Sequence, residues 1–386
     1  MTTTATEAHG RCDTRFEAVR QAFAENLETY GDVGAAFSVI VEGQPVVDLW
    51  GGWADKARTR PWAQDTLVTV YSTTKGLTAI CAHRLVEQGT LDLEAPVARY
   101  WPEFAQKGKG DVPVHMLLSH RVGLPTVDRL LTPRAIYDWA TMVKALEETE
   151  PFWEPGTRHG YHPLTYGWLV GELVRRVSRR TLGEFFRDEI AHPLGLDTRI
   201  GIEPQHDHRI AEMLSVDPPP DPAVRRPGLG ARLSERLRTA FGNISIEPNA
   251  HNSEGWKRSE LPAVNAYTDA RSLARLYGAL SMDGAIDGVR VLRPETIRRA
   301  STEQAAGPDA VLPLHTRFAL GFWMSTMEAP MGPNPRSFGH PGAGGSVGFA
   351  DPDRHLGIGY VMNQMKPGLT VEGTGRRLMD AVYQSI

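Results

Sequence analysis

Strand patterns stand at both ends of this chain and helical patterns fill its middle, an order that narrows the possible folds sharply. Near the start, Ala35-Ala36-Phe37-Ser38-Val39-Ile40-Val41 and Val46-Val47-Asp48-Leu49-Trp50 flank Glu42-Gly43-Gln44-Pro45, which predicts a hairpin. Strand character returns over residues 318–324, 346–350 and 356–362. Helical periodicity covers residues 14–30, 76–101, 114–120, 164–177, 182–190, 269–280 and 369–383. The stretch 218–230 (PPPDPAVRRPGLG) is too rich in proline and glycine for regular structure and reads as a surface loop. Strands from both ends imply one shared antiparallel sheet flanked by helices, with the helical region inserted. The expectation is an α+β fold with an α/β domain from residues 1–72 and 290–386. A mostly helical domain would span 73–289, with the active site at their interface.

The composition excludes several function classes. With 386 residues, 41% hydrophobic and 23% charged, the chain is long enough for one large or two closely joined domains. A net charge of −4 and no basic stripe interleaved with aromatics argue against a nucleic-acid partner. The opening Met1-Thr2-Thr3-Thr4-Ala5-Thr6-Glu7 has no basic or apolar leader pattern, and no run of eighteen apolar residues follows. The expectation is a cytoplasmic protein without a membrane partner. Cys12 and Cys81 read as free thiols, one in a mobile N-terminal segment and one inside an apolar helix.

Ser72-Thr73-Thr74-Lys75 carries the chemistry. The β-branched run 66–71 precedes it and the apolar run 76–85 follows, so Ser72 sits where a helix begins. Helix N–H groups and the positive end of the dipole favour negative charge there. Lys75, one turn on, shares a face with Ser72 and can lose its proton when buried. A Ser-x-x-Lys tetrapeptide arises by chance in many chains, yet Ser72 is the one serine here with a lysine three positions on.

Two further segments converge on it. Residues 154–163 (EPGTRHGYHP) set Tyr161 in a Gly/Pro loop before a helix, where a tyrosine acts as a general base if a cation such as Lys75 depresses its pKa. Residues 337–346 (SFGHPGAGGS) precede a strand and are glycine-dense, as close backbone approach to a ligand requires. Such a strand edge can offer one N–H to an oxyanion, with the Ser72 N–H as the second donor.

Together these segments resemble the serine hydrolases of the β-lactamase and penicillin-binding fold, and most closely the family VIII carboxylesterases related to class C β-lactamases. Ser72-Thr73-Thr74-Lys75 is similar to the first motif, Tyr161-His162-Pro163 takes the place of Tyr-x-Asn, and His340-Pro341-Gly342 that of Lys-Thr-Gly. Residues 117–125 (LLSHRVGLP), Pro155-Gly156-Thr157 and Gly348-Phe349-Ala350-Asp351-Pro352 match as well. The resemblance implies a serine carboxylesterase acting on short-chain esters through an acyl-enzyme on Ser72, with weak β-lactam hydrolysis. Lys75 and Tyr161 would share the serine proton. Ser72 and Ala343 would supply the oxyanion N–H groups, with His340 and Gly342 beside the substrate. The implied partner is a small-molecule ester, and no metal or organic cofactor is implied. Two departures bear on substrate: Pro163 replaces an Asn whose amide helps hold the lysine, and His340 replaces a permanently charged Lys. Both favour uncharged esters over carboxylate-bearing β-lactams.

Rival readings remain. A β-lactamase or D-amino-acid peptidase of the same fold would need a cation at the third motif, with Arg158 or Arg317 as candidates. A non-catalytic scaffold would need none of Ser72, Lys75 and Tyr161. Gly344-Gly345-Ser346-Val347-Gly348 fits Gly-x-Ser-x-Gly, but that motif requires a strand before and a helix after, and here a strand follows. The histidines at 192, 206, 208 and 251 match no zinc spacing. Trp153, Trp256 and Trp323 are core residues or walls of an acyl pocket.

Overall fold

The computed structural model describes residues 7–215 and 241–386; the loop expected over 218–230 lies outside the described residues. Nine strands form one antiparallel sheet: β1 (His9–Cys12), β2 (Gly34–Val41), β3 (Gln44–Gly52), β4 (Ala305–Pro308), β5 (His315–Phe318), β6 (Trp323–Met324), β7 (Phe338–Pro341), β8 (Val347–Asp351) and β9 (Leu356–Met362). Their spatial order is β1-β3-β2-β9-β8-β7-β6-β5-β4. The two chain ends meet at the β2–β9 seam, whose register runs from Leu356 opposite Val41 to Met362 opposite Ala35. The β2–β3 hairpin closes through Glu42 and Gly43, both at positive φ, the two-residue turn whose twist suits flanking strands.

Alternation along β9 assigns its two faces. Tyr360 packs toward α5 (Thr374–Gln384), which lies against α1 (Glu17–Glu28). Gly357 and Gly359 point the other way, to α4 (Ala270–Ser281). A Cβ on Gly357 would lie 2.2 Å from the Gly278 nitrogen, and one on Gly359 2.1 Å from the Ala270 oxygen. Glycine there lets helix and sheet backbones touch.

Several expectations need correction. Residues 318–324 are two strand ends, because the chain turns between β5 and β6, with the Ala319 N–H donating to the Phe322 carbonyl. The helix expected over 76–101 is α2 (Thr74–Glu87), followed by Gly89 at φ +70° and short 3-10 turns at Val97–Arg99 and Pro102–Ala105, while the one expected over 164–177 is α3 (Thr165–Ser178). Cys12 closes β1, paired with Val47, and is not in a mobile segment. His340 and Pro341 belong to a strand of their own, β7, where a loop before a strand was expected.

Candidate active site

The turn that carries Ser72 forms where Val68–Thr69 ends and a 3-10 turn at Tyr71–Thr73 runs into α2. Tyr71 is held at φ +45°, an uncommon conformation for a tyrosine, and its hydroxyl bonds His251 Nδ1 at 2.8 Å. Ser72, 8% exposed, follows immediately. Lys75 is fully buried, and its Nζ lies 3.0 Å from Ser72 Oγ, 2.8 Å from the Pro163 carbonyl and 3.1 Å from the Ala263 carbonyl. No carboxylate is among these contacts, so burial alone acts on the amine and pushes its pKa well below the ordinary lysine value. A neutral amine has two N–H donors and one lone pair. The two carbonyls can only accept, so they take both donors and leave the lone pair toward the Ser72 hydroxyl. Side chains of α2 place the Ala263 carbonyl: Thr74 Oγ1 accepts from the Ala266 N–H at 2.9 Å and Thr78 Oγ1 donates to the Pro262 carbonyl at 2.6 Å.

Tyr161 is 3% exposed, and its hydroxyl lies in the neighbourhood of Ser72. The Lys75 Nζ lies 4.8 Å from its ring centroid. A phenol depressed by a neighbouring cation is the expectation from sequence, and the folded environment acts in the opposite direction. Burial dominates and pushes Tyr161 above its ordinary value, opposed by the nearby Ser72 side chain and reinforced by the negative charge of Asp309. Lys75 is the group with the depressed pKa, and Tyr161 stays a protonated phenol. Its loop is rigidly held. Both carboxylate oxygens of Asp309 accept the Tyr161 N–H at 3.0 and 3.1 Å, and Asp309 also accepts from the N–H groups of Val311 and Leu312 and from Thr316 Oγ1. The Tyr161 ring stacks on Phe318 with planes 11° apart. The 117–125 stretch supports the loop from below: the Leu124 N–H donates to His162 Nε2 at 3.0 Å and the His162 N–H to His120 Nδ1 at 3.2 Å.

At the third motif, His340 is 1% exposed and its Nδ1–H donates to the Pro341 carbonyl at 2.7 Å. Burial, with Lys75 nearby, pushes its pKa down to about 3, so the ring is neutral at physiological pH. Its Nε2 is buried without a protein partner, and the ring packs near Tyr161 and Trp323, at 5.9 and 5.8 Å between centroids. A turn follows, closed by the Gly345 N–H donating to the Gly342 carbonyl at 3.0 Å. Ala343 occupies its second position, where the turn's own bond leaves the N–H unused. Gly342 faces the turn that carries Ser72: a Cβ there would lie 2.3 Å from the Val70 oxygen and 2.2 Å from Ser346 Oγ.

A model of the β-lactamase family matches residues 19–382. The chain belongs to the β-lactamase family. A curated relative from Mycobacterium tuberculosis, the esterase/beta-lactamase LipL, is 35% identical over 92% of this chain and 83% of its own. The crystal structure of a family VIII carboxylesterase superposes with a TM-score of 0.91 at 39% identity, covering 98% of this chain and all of that one. A penicillin-binding protein homologue from Caulobacter crescentus superposes with a TM-score of 0.88 at 38% identity, covering 98% and 100% of the two chains. The β-lactamase-like α+β fold read from the sequence is the fold observed.

Within this family architecture the remaining candidates find their places. Ser346 is followed by β8 and not by a helix, and its Oγ bonds the Val70 carbonyl. Cys81 is buried in α2 with its thiol pKa raised. Among the described residues no three His, Cys, Asp or Glu side chains gather as a metal site. Arg317 pairs with Glu303 at 2.6 Å and Arg158 is exposed. Trp323 lies against Tyr161 and His340, whereas Trp256 is core beside Tyr71. Sequence reasoning missed the carbonyls of Pro163 and Ala263 and the carboxylate of Asp309. A backbone carbonyl leaves no trace in residue type, and Asp309 lies 148 positions from the N–H that it holds. No helix among the described residues is long and apolar enough to cross a membrane.

Proposed function

We propose that the protein is a serine carboxylesterase that cleaves short-chain acyl esters through an acyl-enzyme on Ser72. The observation that carries this reading is a fully buried Lys75 with its Nζ 3.0 Å from Ser72 Oγ and only neutral groups in contact. In the proposed sequence Ser72 Oγ bonds the ester carbonyl carbon while the Lys75 amine takes the hydroxyl proton. The N–H groups of Ser72 and Ala343 receive the oxyanion. As the C–O bond to the alcohol breaks, Tyr161 gives its proton to the departing oxygen and recovers one from Lys75, which returns to the neutral amine. Water then loses a proton to the same pair and bonds the acyl carbon; Ser72 leaves, regains a proton, and the carboxylic acid departs. The neutral His340 supports an uncharged substrate, since a β-lactam carboxylate would meet no permanent cation there. Weak β-lactam hydrolysis is the second activity, in keeping with the names of the relatives. The free thiols of Cys12 and Cys81 suit a reducing cytoplasm.

The test compares hydrolysis of p-nitrophenyl acetate and butyrate with that of nitrocefin, for wild type and Ser72→Ala. Expected is ester turnover faster than nitrocefin turnover, reduced about a thousandfold or more in Ser72→Ala. Inactive wild type would return the chain to the scaffold reading; nitrocefin faster than both esters would favour the β-lactamase.

A further inference from the structure

The Gly-x-Ser-x-Gly serine, discarded as a nucleophile, sits between the two segments that would bind the oxyanion. Ser346 is 1% exposed. Its Oγ donates to the Val70 carbonyl at 2.8 Å and lies 3.2 Å from Thr73 Oγ1. Because a carbonyl only accepts, the Ser346 proton points to Val70 and the Thr73 hydroxyl donates to Ser346. Val70 and Thr73 bracket Ser72 by two residues and one, and the Thr73 N–H itself donates to the Val70 carbonyl at 3.2 Å. On its other side, the Ser346 carbonyl accepts the Gly342 N–H at 2.7 Å, closing the loop that carries Ala343. The absence of a Cβ at Gly342 is what allows this approach, since one would lie 2.2 Å from Ser346 Oγ and 3.0 Å from Thr73 Oγ1.

We propose that Ser346 is a positioning residue that locks the turn bearing Ala343 onto the turn bearing Ser72, setting the spacing between the two oxyanion donors. The proposal rests on the reading of Ser72 as nucleophile with those two N–H groups facing the oxyanion. The donors come from segments about 270 residues apart in sequence, and nothing covalent fixes their separation. Hydrogen bonds to the oxyanion gain most in the transition state, so loosening the clip should slow turnover while leaving ground-state ester binding intact.

The experiment measures kcat and KM for p-nitrophenyl butyrate, and the affinity of an alkylboronic acid that mimics the tetrahedral adduct, in wild type, Ser346→Ala, Thr73→Val and the double variant. Active enzyme is counted by covalent titration with a phosphonate ester. Expected for Ser346→Ala is a fall in kcat of about 10- to 100-fold with KM nearly unchanged. Boronate affinity should fall in parallel, and the double variant should lose less than the product of the two single losses. An unchanged kcat, a loss carried by KM alone, or unweakened boronate binding overturns the proposal while leaving Ser72 as nucleophile. Undiminished activity in Ser72→Ala overturns the underlying reading instead. Should Ser346→Ala not fold, Ser346→Cys and Thr73→Val, which keep the side-chain volume, carry the same readouts.

Discussion

At the scale of single residues, the chemistry rests on one buried amine. Lysine is ordinarily protonated up to a pKa of about 10.4, and desolvation without an anionic partner lowers that value in Lys75. In the proposed mechanism the neutral form accepts the Ser72 proton, so activity should rise with pH through the depressed Lys75 value and then hold a plateau. Tyr161 is pushed up by burial, so no fall on its account is expected below pH 10. His340 is held near 3 and adds no step between pH 5 and 9, so His340→Gln should leave the profile's midpoint in place. A kcat/KM profile from pH 5 to 10 checks this; a midpoint at the ordinary lysine value, or one that moves in His340→Gln, would contradict it. The same shift links to stability. Between the depressed value and about 10.4 the unfolded chain binds a proton that the folded one lacks, so this group makes stability rise with pH across that window and fall as pH drops through it. Sequence spacing was enough to pair Ser72 with Lys75. Which of Lys75 and Tyr161 carries the depressed pKa was not legible, because burial of both groups is a property of segments distant in sequence.

At the scale of elements, the site is set by how closely helices approach their neighbours. The hydroxyls of Thr74 and Thr78 bring the 262–266 segment to α2, and Gly357 and Gly359 bring α4 onto the sheet. On the same face, Gly348 lies against the ring of Tyr277, whose hydroxyl would be 2.1 Å from a Cβ on Gly76, the residue after Lys75. Gly359→Ala should therefore shift α4 and destabilise the fold by about 1–3 kcal/mol, the usual cost of overpacking. It should also lower kcat through the displaced Tyr277. Urea unfolding and ester kinetics on one preparation test this, and a variant as stable and active as wild type would remove α4 from the account. Hydrophobic periodicity located α4 and β9 well. It overran the end of α2, where exposed Gln88, Gly89 and Thr90 stop the helix with Gly89 at positive φ, and it joined β5 to β6 because the apolar run 318–324 continues through a turn that is itself buried.

At the scale of the molecule, the fold depends on closing the two chain ends onto one sheet. Leu378, Met379 and Val382 of α5 are buried against the sheet face opposite α4, far from Ser72 in sequence. Leu378→Ala should cost about 2–5 kcal/mol through the cavity it leaves. It should leave kcat unchanged below the unfolding transition, a pattern that thermal unfolding followed by both circular dichroism and residual activity would reveal. A kcat loss at temperatures where the fold persists would mean that α5 couples to the site. The sequence alone determined the sheet drawn from both ends and the Ser72–Lys75 pair, because these depend on periodicity and spacing along the chain, while the segments around Tyr161 and His340 were picked out with the help of their family resemblance. The tertiary structure decided which amine is neutral, which carbonyls aim it, how Asp309 holds Tyr161 and how Ser346 joins the two turns. Each of these is a contact or a loss of solvent produced by residues that meet only when the chain is folded.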